Sequence, residues 1–248
     1  MAANDSLTKL TELLDKESYT RTELYDVIFR VFPTYTENSC NWVIGSLIQS
    51  GILYACGKGV FARCREAWNP KFDKQVSALN EAMRKEFPLE AFAVLDSGTL
   101  NDLAGMAGGQ DFLLIETSKR NLFPTYLWLR EKWKNEVMIT PTQRELDYYL
   151  KPGNIILKPL FSKSPCREDG CFALEKLIVD LFADRTILSL YPQVDFTESV
   201  KKIISSKNVN ISTCLSYATR RGIHNEIAAL LKKGCNPKTW RKIGGETR

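Results

Sequence analysis

Four leucines, Leu7, Leu10, Leu13 and Leu14, open the chain at helical spacing and predict one amphipathic helix ending near Asp15. Thr20 followed three residues later by Glu23 is a capping box, in which two reciprocal side chain–backbone hydrogen bonds start a helix. Leu24, Val27, Ile28 and Val31 carry its apolar stripe as far as Pro33. A third helix starts at Thr36, turns Val43, Ile44, Leu47 and Ile48 inward, and stops at Gly51, which can take the left-handed conformation. The run ILYACGKGVFAR that follows holds two short β-rich stretches around Gly57-Lys58-Gly59, a hairpin.

From about residue 66 the pattern changes. A linker helix is expected within 66–90, with Phe72, Val76, Leu79 and Met83 on one face. Short apolar runs then alternate with helical stretches: AFAVLD at 91–96, FLLIET at 112–117, a helix near 120–134, EVMIT at 136–140, a helix near 142–150, and NIILK at 154–158. Such alternation predicts helices around a small sheet. The glycines of GMAGG at 105–109 lack a following Lys-Ser/Thr pair and read as a turn, not a phosphate loop. After a loop at 162–170 the chain is helical to its end. In ALEKLIVDLF the stripe of Leu174, Leu177, Ile178 and Leu181 leaves Glu175 and Lys176 facing away. The class expected is α+β: a winged helix-turn-helix at 1–65, the linker helix at 66–90, an α/β domain with a helical C-terminal part at 91–235, and a flexible tail at 236–248.

Composition narrows the function. Of 248 residues, 44% are hydrophobic and 25% charged, enough for a buried core. No apolar run is long enough for a membrane span, and the start MAANDSLTKL lacks the pattern of a signal peptide, so a cytoplasmic protein without membrane contact is expected. Seven cysteines without a C-x-x-C spacing, beside the single His224, leave mixed zinc sites without ligands. Reduced thiols, no metal and no cofactor are expected. The net charge of +5 divides as 0 over residues 1–65, −4 over 66–198 and +9 over 199–248. The basic end suggests a polyanionic partner.

Helix three offers the chemistry for reading DNA. With its apolar stripe inward, Asn38, Ser39, Asn41, Trp42, Gly45, Ser46 and Gln49 face out, and amides suit bidentate contact with adenine. Asn38, Ser39 and Asn41 are the base-reading candidates; Trp42 either joins them or packs against helix two. Lys58 at the hairpin tip and Arg63 at its base are phosphate contacts, as are Thr20 and Arg21 at the start of helix two. Arg220, Arg221, Lys232 and Lys233 form a second basic contact. A winged helix used for protein contacts remains the alternative.

Catalysis has weaker signals. Asp96, Asp111, Glu116 and Lys119 loosely resemble the D…E-x-K set of metal-dependent nucleases, but the spacing is E-x-x-K. His224, beside Arg220 and Arg221, has only Glu226 nearby as an orienting acid, and Glu175 and Asp180 read as helix-surface ion pairs. No catalytic residue is expected.

Trp42, Ile44, Leu47, Gly51, Leu53, Gly57, Gly59 and Phe61, followed in order by FLLIETSKR, KPLFSKSP, ALEKLIVDLFAD and LSYATRRG, resemble the AbiEi-type antitoxin family of type IV toxin–antitoxin systems over residues 7–233. The resemblance implies a cytoplasmic bacterial autorepressor. It would bind inverted repeats of double-stranded DNA at its own operator and counter a nucleotidyltransferase-like toxin, generally without a stable complex, in phage defence by abortive infection. It also implies a C-terminal domain that is not an enzyme. The rival is a metal-dependent nuclease or nucleotidyltransferase using Asp96, Asp111 or Glu116.

Overall fold

The computed structural model describes residues 2–104, 110–133, 136–184, 187, 189–191 and 195–244 of this α+β protein. It begins with helix α1 (Ala2–Leu13), strand β1 (Ser18–Thr20) and helices α2 (Arg21–Val31) and α3 (Glu37–Gln49). The last two start where the hydroxyls predict. Thr20 Oγ1 accepts from the Glu23 amide while the Thr20 amide donates to Glu23, and Thr36 Oγ1 accepts from the Ser39 amide. Strands β2 (Leu53–Gly57) and β3 (Val60–Arg63) make the hairpin, turned at Gly59 with φ +68°. Strand β1 has no sequence signal, because three residues carry no period. It exists through antiparallel pairing of Ser18, Tyr19 and Thr20 with Ala62, Phe61 and Val60, so the sheet runs β1-β3-β2. Leu10, Tyr19, Leu24, Ile28, Leu47 and Leu53 meet in one core with the three helices.

The second unit contains α4 (Lys74–Glu86), β4 (Phe92–Asp96), α5 (Ser97–Ala104), β5 (Phe112–Thr117), α6 (Leu122–Lys132), β6 (Val137–Ile139), α7 (Gln143–Tyr149) and β7 (Asn154–Pro159). Its sheet runs β4-β5-β7-β6, with β4 antiparallel to β5, and β5, β7 and β6 parallel. Strands covered on both faces read as unbroken apolar runs, which is why FLLIET and NIILK do not alternate. Leu113 and Ile115 face a layer containing Leu79 and Met83 of α4 and Leu129 of α6. Phe112 and Leu114 face the other way. There they meet α5, α8 (Leu174–Ala183), α9 (Phe196–Ser206), α10 (Ile211–Arg221) and α11 (His224–Gly234). The helix expected as a linker therefore belongs to the second unit: α4 buries Leu79 and Met83 against the sheet. The GMAGG turn lies outside the described residues.

The segment expected as a flexible tail carries a docked helix, α12 (Pro237–Ile243). Trp240 and Thr239 are buried, Thr239 Oγ1 donates to Ser18 Oγ at 2.8 Å, and Lys242 Nζ donates to the Ser18 carbonyl at 2.7 Å. Seven polar-rich residues have too little local preference to form a helix alone. What orders them is burial of Trp240 in the main core and of Ile243 beside Cys56, Val60 and Ala62 of the hairpin. Residues 245–248 lie outside the described set. A second clamp joins the units at 65–66. The Arg65 amide donates to Asn208 at 2.7 Å, its guanidinium pairs with Glu17 at 2.8 Å, and Glu66 pairs with Lys207 at 2.6 Å. All seven cysteines are free thiols, and Cys40, Cys56, Cys171 and Cys214 are buried.

Candidate functional site

Helix α3 turns Cys40, Val43, Ile44 and Leu47 into the core. The 3.6-residue repeat then places Asn38, Asn41, Trp42, Gly45 and Gln49 along the opposite face. Trp42 is 72% exposed, so it does not pack on α2. A Cβ built on Gly45 would meet nothing within 4 Å. Mid-helix glycine costs about 0.5–1 kcal/mol relative to alanine, and no neighbour inside the chain requires it there. The face is thus open, shallow at its centre, and flanked by a large amphipathic ring.

Two of the predicted base readers are engaged within the chain. Asn41 Oδ1 accepts from Arg21 Nη1 at 2.7 Å and from the Tyr25 hydroxyl at 2.9 Å. Asn41 thus holds Arg21 against α3 and keeps only its amide NH₂ for an outside acceptor. Ser39 Oγ lies 3.1 Å from Thr36 Oγ1 within the helix cap. Asn38 is exposed on the same face.

The start of α2 does not offer a phosphate site at Thr20. The capping box fills that position with the Glu23 carboxylate, and the Arg21 amide already donates to the Gly59 carbonyl at 2.9 Å. Burial pulls the Glu23 carboxyl up, but hydrogen bonds from Lys242, the Thr20 amide and Lys16 outweigh it and hold the carboxyl down at about 2. An anion there would meet a fixed negative charge. The hairpin also departs from expectation. Its Cys56, Val60 and Ala62 face is covered by Ile243, and the Lys58 amide at its tip donates to Ser212 Oγ of α10 at 2.9 Å. It is anchored to the second unit, which leaves the exposed side chains of Lys58 and Arg63 as its outward basic groups.

The four residues of the expected second basic contact do not form one patch. Arg220 and Arg221 end α10, whereas Lys232 and Lys233 end α11, the length of a helix away, about 15 Å. Arg221 faces inward: its Nε lies 3.2 Å from Asp180 Oδ1 and its guanidinium covers the Phe161 ring at 4.6 Å. Arg220 donates to the Lys163 carbonyl at 2.9 Å. Lys232 and Lys233 are exposed.

Arg221 belongs to a cluster that sequence patterning does not anticipate. Lys176, expected on the outside of α8, is completely buried, 2.7 Å from Glu116 of β5 and hydrogen-bonded to Asp180 one turn on. Asp180 also accepts from the Tyr217 hydroxyl at 2.8 Å, and Lys158 of β7 pairs with Asp184. At Lys176 burial opposes the charge, but the carboxylates of Glu116 and Asp180 outweigh it and raise the ammonium's pKa. Burial pushes the Glu116 carboxyl up, against the pull of Lys176. One signal could have revealed this. Helix α8 is apolar almost all round, and a helix of that kind is buried, so its central Lys176 and Asp180 need partners inside. Glu175 sits beside them in sequence but accepts from the Asn210 amide at 2.8 Å, at the start of α10.

The nuclease-like set is not assembled. Asp111 precedes β5 and Glu116 stands near its end, so about 17 Å of strand separates them. Asp111 accepts from Ser97 at 3.2 Å and Asp96 from Thr99. Among the described residues no group of three His, Cys, Asp or Glu side chains could hold a metal ion. His224 Nδ1 lies 2.8 Å from Thr219 Oγ1, at the start of α11. No described helix is long and apolar enough to cross a membrane.

A search of the curated proteins finds no match to this chain. A family model does match residues 39–236, from the first turn of α3 through every later element but α12. On that match the protein belongs to the family described as "Family of unknown function (DUF6577)".

Proposed function

We propose that the N-terminal unit is a winged helix-turn-helix that binds double-stranded DNA through α3, and that the protein is a cytoplasmic transcriptional autorepressor of the AbiEi antitoxin kind. The observation that carries this reading is the open face of α3, where Trp42 is 72% exposed and a Cβ added to nearby Gly45 would meet nothing within 4 Å. A groove-binding helix needs such a face, with polar groups at its start and room for a backbone to approach at its centre. The element order α1-β1-α2-α3-β2-β3 and the sheet order β1-β3-β2 support the winged-helix reading. Asn38, Arg21 as positioned by Asn41, Trp42 and Gln49 are the contacts proposed, with Lys58 and Arg63 reaching phosphate. The excess positive charge of the chain lies elsewhere, so one unit makes few phosphate contacts, and binding of two copies at inverted repeats supplies the affinity.

Gel shifts of the full-length protein on the region upstream of its own gene test this reading. We expect sequence-preferring binding that weakens steeply with salt; equal affinity for random DNA would overturn it. The antitoxin half rests on the family resemblance. Co-expression with a neighbouring nucleotidyltransferase-like toxin should restore growth, and unrelieved toxicity would remove it.

A further inference from the structure

The three parallel strands β5, β6 and β7 end at one edge of their sheet, and a cleft of about 780 Å³ opens there. Each strand contributes to its wall as it ends: Ser118 and Lys119 after β5, Thr140 after β6, Phe161 and Lys163 after β7. Carboxyl ends of parallel strands are where open α/β sheets leave a crevice for ligands, and the volume suits a small molecule.

The charges of this cleft do not cancel. Lys119, Lys158, Lys163 and Arg221 at its wall and Lys176 beneath are five cations; Glu116, Asp180 and Asp184 are three carboxylates, a net of +2. The carboxylates are matched by Lys176, Arg221 and Lys158. Lys119 and Lys163 are exposed, and among the described residues neither has a carboxylate partner. The uncompensated charge therefore sits on the rim. The backbone carries a second, separate mark. Thr140 at φ +45° and Lys163 at φ +54° are the non-glycine residues with positive φ among those described, and both line this cleft. L-residues, above all β-branched ones, take that conformation where the surrounding structure holds them, and such positions gather at ligand clamps.

We propose that this cleft binds a small phosphate-bearing anion, with a terminal phosphate held between the ammonium groups of Lys119 and Lys163. A phosphate dianion matches the charge of +2 on these two lysines, whose ammonium groups are donors suited to its oxygens. The carboxylates of Glu116, Asp180 and Asp184 line the interior, where they repel a long polyanion but admit one terminal group beside the paired cations. The site is independent of the DNA-reading face and stands or falls separately.

Calorimetric titration of the full-length protein with pyrophosphate, a nucleoside monophosphate and a sugar phosphate tests the proposal. Saturable binding of at least one is expected, weakened roughly tenfold or more in Lys119→Ala and in Lys163→Gly. The preferred probe identifies what the phosphate is attached to. Lys163→Gly also relieves the left-handed backbone, so its thermal stability should be unchanged or higher while binding falls. Two results would overturn the site: no saturable binding of any probe by the intact protein, or binding that both variants leave unchanged.

Discussion

The outer face of α3 and the cleft at the ends of β5, β6 and β7 both carry polar groups, and they are built in opposite ways. On α3 the polar groups are lightly tied: Asn38 and Trp42 are exposed, Asn41 is bound to Arg21 and Tyr25, and Ser39 is held in the Thr36 cap. Beneath the cleft's rim the charges are sunk into the core and tied to one another, with Lys176 fully buried between Glu116 and Asp180. The difference teaches where each region's cost lies. Substitution on α3 should alter what the protein binds and leave the fold intact, whereas substitution beneath the cleft should unfold it, since breaking a buried pair strands a charge in an apolar interior.

The contrast is most severely tested at Lys176. Lys176→Ala removes the buried cation between Glu116 and Asp180, leaving Asp180 to Arg221 and Glu116 without its ion-pair partner, and should lower the unfolding free energy by about 3–5 kcal/mol in urea denaturation. A loss below about 1 kcal/mol would mean that water reaches the cluster and that the two regions are not so different. Next in size is Trp42→Ala, which should weaken the proposed operator binding by about 2 kcal/mol, roughly thirtyfold, with an unchanged denaturation midpoint. A large fall in stability would show the ring to be part of the core instead.

The join between the regions has a pH signature. The Glu23 carboxyl is depressed from an ordinary 4.5 to about 2, so the unfolded chain takes up the proton first. The stability it supplies is fully present above about pH 4.5 and is lost as the pH falls toward 2. Wild-type protein should therefore lose about 1–2 kcal/mol relative to Glu23→Gln across that window, allowing for partial exposure, as read by chemical denaturation at each pH. Parallel curves for the two proteins would disprove the tie from Lys242 to Glu23. Smallest of all, Gly45→Ala should stabilise the protein by about 0.5–1 kcal/mol and yet weaken the proposed DNA binding, opposite signs expected where a helix face serves binding and not packing.

The contrast also marks what can be read along a chain. Local rules found the start of α2 at Thr20, the start of α3 at Thr36 and the hairpin turn at Gly59, because each depends on residues at most a few positions apart. The outward face of α3 followed from periodicity, and Trp42 is on it. Local rules failed where a partner arrives from far away. Strand β1 exists only through β3, α12 only through the surface it covers, and the hairpin's fate depends on Ile243 and Ser212. The helix start at Thr20 is visible in sequence and suggests a phosphate contact, while the Lys242 that locks Glu23 there is 219 positions away from it.

By itself, then, the sequence determined the α+β class, the larger helices and strands in their order, and the polar face of α3, all consequences of side-chain period and of caps that close within one turn. Only the tertiary structure decided that Lys176 is an interior charge, that Arg221 turns away from solvent, and that the ends of β5, β6 and β7 enclose a basic cleft. The physical reason is common to all three. An ionised side chain can be buried only when its counter-charges come from other elements, and which elements meet is settled by packing across the whole chain, not by the pattern within any one of them.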